Sequence, residues 1–213
     1  MEKEKAISFK IINAIMIVFS VVLLGFIITM LVLGDPTNRM LSCVLTFILY
    51  LLPVILQLVF KVKFPLALLI IYLAFITIGA FCGSCLNLTK TIHGFDKVQH
   101  FTWGYISCFI GVFYLCKTKE INVVKIATVV VIFLSVSLAT AGLWEVMEFL
   151  GDKLFGQTAQ GQPINGIVSV NDAMFDIICH SFGSVLFTVH FCLDRLLKKN
   201  LGITSIINNF SGE

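Results

Sequence analysis

Hydrophobic residues in this chain are gathered into long continuous runs that short polar segments separate. Within the runs apolar positions do not alternate with polar ones, which predicts membrane-spanning helices rather than a barrel. A helix needs about 20 residues to cross the ~30 Å hydrocarbon layer of a bilayer. We predict an all-α, polytopic membrane helical bundle forming one membrane domain over residues 1–213. Its six predicted transmembrane helices cover approximately residues 7–33, 40–60, 65–82, 98–116, 126–150 and 172–196.

Composition supports this prediction and excludes several other classes. Apolar residues make up 58% of the 213 residues and charged residues 13%, against ~45–50% and ~25% in soluble domains. A soluble enzyme, a disordered chain and a coiled coil are therefore excluded. The net charge of +3, without basic residues interleaved among aromatic ones, indicates that nucleic acid is not a partner. The expected partners are membrane lipids.

The distribution of basic residues predicts the orientation of the bundle. Of the fifteen Lys and Arg residues, eleven fall on the side of the predicted bundle that holds both termini. The other four, at Arg39, Lys90, Lys97 and Lys153, fall on the opposite side. Because cytoplasmic loops of membrane proteins are enriched in Lys and Arg, both termini are predicted to face the cytoplasm.

Three predicted helices carry ionisable residues at the end that this orientation places outside the cytoplasm. Such groups are costly in or near a membrane, so they indicate a functional site by default. Their spacings of three or four residues place each set on one face of its helix. The set consists of Asp96 and His100 on the fourth predicted helix, Glu145 and Glu148 on the fifth, and Asp172, Asp176 and His180 on the sixth.

Carboxylates and imidazoles delivered by several helices to one level are typical of metal sites in helix bundles. A set that includes histidine suits Zn, Mn or Fe, and a set of oxygen ligands suits Mg. Asp172 and His180 are about 12 Å apart along a helix, at ~1.5 Å per residue. Either two ions therefore lie about one turn apart, or one end of the series is a proton relay. The predicted ligands of the divalent metal ion are Asp96, His100, Asp172 and Asp176.

The remaining acids and the last histidine are candidates for catalysis. Glu145 or Glu148 is the predicted general base, and His180 is predicted to support a ligand or to shuttle a proton. Two alternatives remain open. All seven residues can be solvated groups at the membrane surface, or they can form a carboxylate–histidine network without metal. The Gly-rich segment over residues 151–171 is either a lid over the site or a plain connector.

Small residues on the last three predicted helices suit close helix packing. Helices in membranes approach one another most closely where side chains are smallest. The candidate packing positions are Gly104, Gly111, Gly142, Ser181, Gly183 and Ser184.

The ionisable motifs also carry a resemblance to a known family. They are Asp96-Lys-x-x-His100-Phe, Trp144-Glu145-x-x-Glu148, and Asp172-x-x-x-Asp176 followed by small residues at Gly183. This pattern, over about residues 89–189, resembles the YjdF-type family of bacterial inner-membrane proteins. It is similar, more distantly, to VanZ-like proteins, which are associated with resistance to glycopeptides such as teicoplanin, and departs from them at Asp176 and His180. The resemblance implies a multi-pass protein of the bacterial inner membrane and supports the site residues.

Three functions fit these observations. The first is a metal-dependent hydrolase or transferase that acts on an envelope lipid or a lipid-linked substrate outside the cytoplasm. The second is an ion- or proton-coupled transporter. The third is a non-catalytic membrane protein that binds a lipid or an antibiotic.

Overall fold

The computed structural model describes residues 2–34, 39–59, 64, 66–160, 170–197 and 202–211. Helices make up the secondary structure of this part of the chain, and the described residues contain no strand. The chain forms two compact units, Met1–Phe95 and Asp96–Glu213. The prediction of an all-α polytopic membrane bundle is confirmed, while the prediction of a single membrane domain over 1–213 stays a prediction.

The described residues of the first unit form four helices and a π-helical segment. The helices are α1 (Glu2–Leu33), α2 (Met40–Val59), α3 (Leu66–Ile76), which continues directly into the π-helical segment Thr77–Cys85, and α4 (Leu88–Thr91). Tyr50 on α2 is central to the core, because it is fully buried and its ring stacks on Phe19 at a centroid distance of 5.1 Å. Its hydroxyl donates a hydrogen bond to the Thr77 hydroxyl at 2.9 Å.

In the second unit, the described residues form four further helices and an aromatic core. The helices are α5 (Phe95–Lys117), α6 (Ile126–Phe155), α7 (Val170–Leu197) and α8 (Ile203–Ser211). The Phe133 ring on α6 meets Phe187 and Phe191 of α7 edge-on, at 5.3 and 5.0 Å between centroids. All three side chains are buried. This core, a few turns from the ionisable residues, fixes α6 against α7.

Glycine brings the backbones of α5 and α7 into direct contact. A Cβ atom on Gly104 would clash with the carbonyl oxygen of His180, and one on Gly183 would clash with that of Phe101. The packing prediction is confirmed at these two glycines and at Gly111, where a Cβ would lie 2.9 Å from the Phe133 ring. It is wrong at Gly142, where a Cβ would meet no atom of the described residues within 4 Å.

Among the described residues, five helices are long and apolar enough to cross a membrane. They are Lys10–Leu33, Met40–Val59, Leu66–Cys85, Ile126–Phe155 and Val170–Leu197. The span predicted over 98–116 is a helix of 23 residues that is not among these five. Its first turns carry Asp96, Lys97, Gln99 and His100, which lower its hydropathy. The predicted orientation, with both termini in the cytoplasm, stays a prediction.

Helix α6 is longer than predicted. We expected it to end at Leu150, before Gly151, but it continues to Phe155 and ends at Gly156 in the left-handed conformation, with φ of 65°. Glycine suits this position because it has no Cβ to oppose a positive φ. The first residues of the predicted lid, 151–155, are therefore helical. Residues 161–169, which hold most of the rest of that predicted lid, lie outside the described residues.

Candidate functional site

The contact between α5 and α7 explains why residues far apart in sequence meet. Gly104 lies against the backbone of His180. His100 is one turn before Gly104, and Asp176 is one turn before His180. The same helix packing therefore places His100 beside Asp176.

A cluster of Asp96, His100 and Asp176 forms the centre of the site. The His100 Nε2 atom lies 3.6 Å from Asp96 Oδ1 and 3.6 Å from Asp176 Oδ1. One potential ligand atom from each of the three residues lies within 4.8 Å of the others. Metal–ligand bonds of about 2.0–2.2 Å place neighbouring ligand atoms roughly 3–4 Å apart. The cluster is thus close to the size of a metal coordination sphere, and small side-chain shifts bring its atoms to that spacing.

Lys97 lies beside the cluster, although it is not among the site residues predicted from the sequence. Its ammonium donates hydrogen bonds to Asp172 at 2.6 Å, to Asp176 at 2.7 Å and to Asp96 at 3.2 Å. The Lys97 ammonium therefore lies among three carboxylates. Asp172, a predicted ligand, lies with Lys97 rather than in the three-residue cluster.

The two predicted general bases differ in what surrounds them. Glu145 is 8% exposed, and neither of its carboxylate oxygens has a hydrogen bond of normal geometry within the described residues. The Gln160 side chain lies close enough to act on it as a hydrogen-bond partner, and Asp96 and Asp172 interact with it electrostatically, so Glu145 belongs to the same site. Glu148 also interacts electrostatically with Asp96 and Asp176, and it accepts a hydrogen bond from the Trp144 indole at 2.7 Å. Glu145 is thus the less firmly hydrogen-bonded of the two carboxylates.

His180 lies one turn deeper in the unit than Asp176 and is fully buried. Its Nε2 atom is hydrogen-bonded to the Ser137 hydroxyl at 2.8 Å, and Ser137 is in turn 2.9 Å from the Ser107 hydroxyl. The Nδ1 atom of His180 has no hydrogen-bond partner in the part of the chain that the structure describes. The two serines were not predicted as site residues, because serine in a membrane helix is most often a packing residue.

The structure therefore brings together most, not all, of the predicted site. Asp96, His100 and Asp176 form the cluster. Asp172 pairs with Lys97, and Glu145 interacts with the acids of the cluster. This arrangement places carboxylate oxygens and an imidazole nitrogen around the buried Asp176, in a group that could hold a cation.

One protein-family model matches a stretch of the chain that contains the whole site. The family model described as "Predicted membrane protein (DUF2238)" matches residues 14–195, which include all seven predicted site residues. No curated protein and no solved structure matches the chain. The resemblance to YjdF-type membrane proteins is consistent with this family, whereas a link to VanZ-like proteins is not shown by the match.

Proposed function

We propose that this chain, which belongs to the DUF2238 family of predicted membrane proteins, is a metal-dependent hydrolase or transferase of the bacterial cell membrane. Its substrate is an envelope lipid or a lipid-linked molecule, reached from outside the cytoplasm. The observation that carries the proposal is the cluster of Asp96, His100 and Asp176, whose ligand atoms lie within 4.8 Å of one another. A mixed set of carboxylates and imidazole suits Zn, Mn or Fe.

Charge balance supports a divalent ion. When all three are ionised, Asp96, Asp172 and Asp176 carry three negative charges, and the Lys97 ammonium pairs with each of them. The remaining charge of −2 includes that of Asp176, whose side chain is 1% exposed, and a buried carboxylate favours a compensating cation. A divalent cation neutralises the remaining charge completely.

The surrounding residues have separate roles in the proposed reaction. A divalent ion at the cluster would polarise a phosphoryl or acyl oxygen of the substrate and increase the acidity of bound water. Glu145 accepts a proton, because its buried oxygens have no other hydrogen bond of normal geometry in the described structure. Asp172 holds Lys97 beside the cluster, and His180 transfers or stores a proton one turn deeper.

Purified protein in vesicles tests the proposal. The vesicles contain phosphatidylglycerol, cardiolipin or a polyprenyl phosphate, and release of inorganic phosphate and of fatty acid is measured. We expect turnover that requires Mn²⁺ or Zn²⁺, stops on addition of a chelator, and is absent in Glu145→Gln. The exposed Glu120 provides the matched control, Glu120→Gln, with unchanged turnover. A lipid that copurifies intact and is never converted would favour a non-catalytic binding protein instead.

One observation favours a second function, an ion- or proton-coupled transporter. Below the cluster, His180, Ser137 and Ser107 continue a chain of buried polar groups into the helical core. Such a chain can pass protons between the cluster and the interior of the unit. A pH-sensitive dye inside the same vesicles distinguishes the two functions, because an imposed ion gradient would acidify or alkalise the lumen only for a transporter.

A further inference from the structure

Lys97 and the cluster share one oxygen atom. The Lys97 ammonium lies 2.7 Å from Asp176 Oδ1, and His100 Nε2 lies 3.6 Å from the same atom. Asp176 is 1% exposed, so water can screen this point only weakly. A cation bound between Asp176 Oδ1 and His100 Nε2 would therefore share this oxygen with Lys97.

An ammonium and a divalent ion at that atom repel each other and so compete for it. Like charges about 4 Å apart repel strongly where the effective dielectric constant is about 20, and the repulsion doubles for a divalent ion. The structure offers the ammonium an alternative partner, because Asp172 Oδ1 lies 2.6 Å from it. Asp172 is about one-third exposed and is not part of the three-residue cluster. Lys97 can thus leave Asp176 and stay paired with Asp172.

We infer that Lys97 is a built-in competitor of the metal ion: it occupies Asp176 when no ion is bound and retreats to Asp172 when an ion binds. This inference rests on the proposed metal site and adds that Lys97 regulates the affinity of the site for the ion. Lys97 keeps the buried carboxylate paired in the absence of metal and lowers the affinity of the site for the ion. The site therefore exchanges its metal rather than holding it permanently.

Titration of the detergent-purified full chain with Mn²⁺, followed by electron paramagnetic resonance of the free ion, tests the inference. We expect Lys97→Met to bind Mn²⁺ at least about tenfold more tightly than the wild type, since the repulsion is removed. The matched control is Lys153→Met, because Lys153 is an exposed lysine of the same unit; its affinity should equal that of the wild type.

The outcomes separate the inference from the proposed function. If the wild type binds Mn²⁺ and Lys97→Met binds it equally well or more weakly, the inference is overturned and the metal site stands. If neither protein binds Mn²⁺ or Zn²⁺, the proposed metal site fails and the inference fails with it.

A second measurement uses the wild type alone, in case Lys97→Met does not fold. Acetylation of lysines by an amine-reactive ester is followed by mass spectrometry, with and without Mn²⁺. We expect Mn²⁺ to increase the rate at Lys97 several-fold, because the ammonium loses its bonds to Asp176 and Asp96, and to leave Lys153 unchanged. An unchanged or slower rate at Lys97 in a protein that binds Mn²⁺ would contradict the inference.

Discussion

Asp176 and Glu145 are both buried carboxylates, yet their atoms have different surroundings. Asp176 pairs with Lys97 at 2.7 Å, whereas neither oxygen of Glu145 has a hydrogen bond of normal geometry within the described residues. A buried carboxylate with weak hydrogen bonding destabilises the folded protein. We therefore expect Glu145 to lower the stability of the folded protein.

Glu145→Gln tests this contrast. We expect loss of turnover, retention of metal, and an increase in thermal stability of about 1 kcal/mol, or roughly 2–4 °C. The reason is that burying an amide costs less free energy than burying a weakly hydrogen-bonded carboxylate. Thermal unfolding and metal content are measured beside those of Glu120→Gln, which should match the wild type. A clear loss of stability in Glu145→Gln would show that Glu145 has a structural partner.

Ser137→Ala tests the buried polar chain. It leaves Nε2 of His180 without its closest partner at 2.8 Å, and an unsatisfied buried polar atom costs about 1–3 kcal/mol. Ser184→Ala is the control, since the Ser184 hydroxyl donates only to Ser181 of its own helix. We expect Ser137→Ala to unfold at a lower denaturant concentration than Ser184→Ala. Equal midpoints would mean that His180 does not depend on Ser137.

The residues of the cluster were predictable from sequence, and their partners were not. Acids and histidines at the ends of apolar runs stand out against the cost of placing charge in a membrane. In the sequence, Lys97 indicates only the orientation of the bundle. The spacing of residues does not show which acid a long, flexible lysine side chain reaches. The sequence does not indicate that Ser107 and Ser137 belong to the site, since small polar residues are common at helix contacts in membranes.

At the scale of the helix, one glycine contact aligns the site. Gly104 of α5 lies against the backbone of His180 on α7. We expect Gly104→Ala to separate the two helices and to weaken metal binding by more than tenfold, with the helix content unchanged. Gly142→Ala is the matched control, because a Cβ at Gly142 meets no described atom within 4 Å. Mn²⁺ titration and circular dichroism measure both effects, and equal binding by the two variants would contradict this role of Gly104.

Helix boundaries were less predictable than helix positions. Gly151 suggested the end of α6, but one glycine inside a helix costs only about 1 kcal/mol. The Asp152 carboxylate accepts hydrogen bonds from the backbone N–H groups of Ala159 and Gln160 at 2.7 and 3.0 Å. These bonds hold the chain just beyond Gly156 and favour the longer helix. A side-chain contact of this kind is not encoded in hydrophobic periodicity.

At the scale of the whole molecule, α5 decides the topology. Its polar first turns exclude it from the five most apolar helices, although its 23 residues are enough to cross a bilayer. We predict that α5 spans the membrane, so Lys90 before it and Lys119 after it lie on opposite sides. Single Lys90→Cys and Lys119→Cys variants are labelled with a membrane-impermeant maleimide in intact cells, and only the first should react. Equal labelling of both would reduce the spans to five and invalidate the predicted orientation.

The metal content of the purified protein tests the central claim most directly. Elemental analysis compares the wild type with Asp176→Asn and with Asp152→Asn. Within the described residues, the Asp152 carboxylate accepts hydrogen bonds from the backbone N–H groups of Ala159 and Gln160. After dialysis against Zn²⁺, Mn²⁺ or Fe²⁺, we predict about one equivalent of the ion in the wild type and in Asp152→Asn, and none in Asp176→Asn. A wild type without metal even after dialysis against each ion, or an Asp176→Asn protein with undiminished metal, would contradict the account.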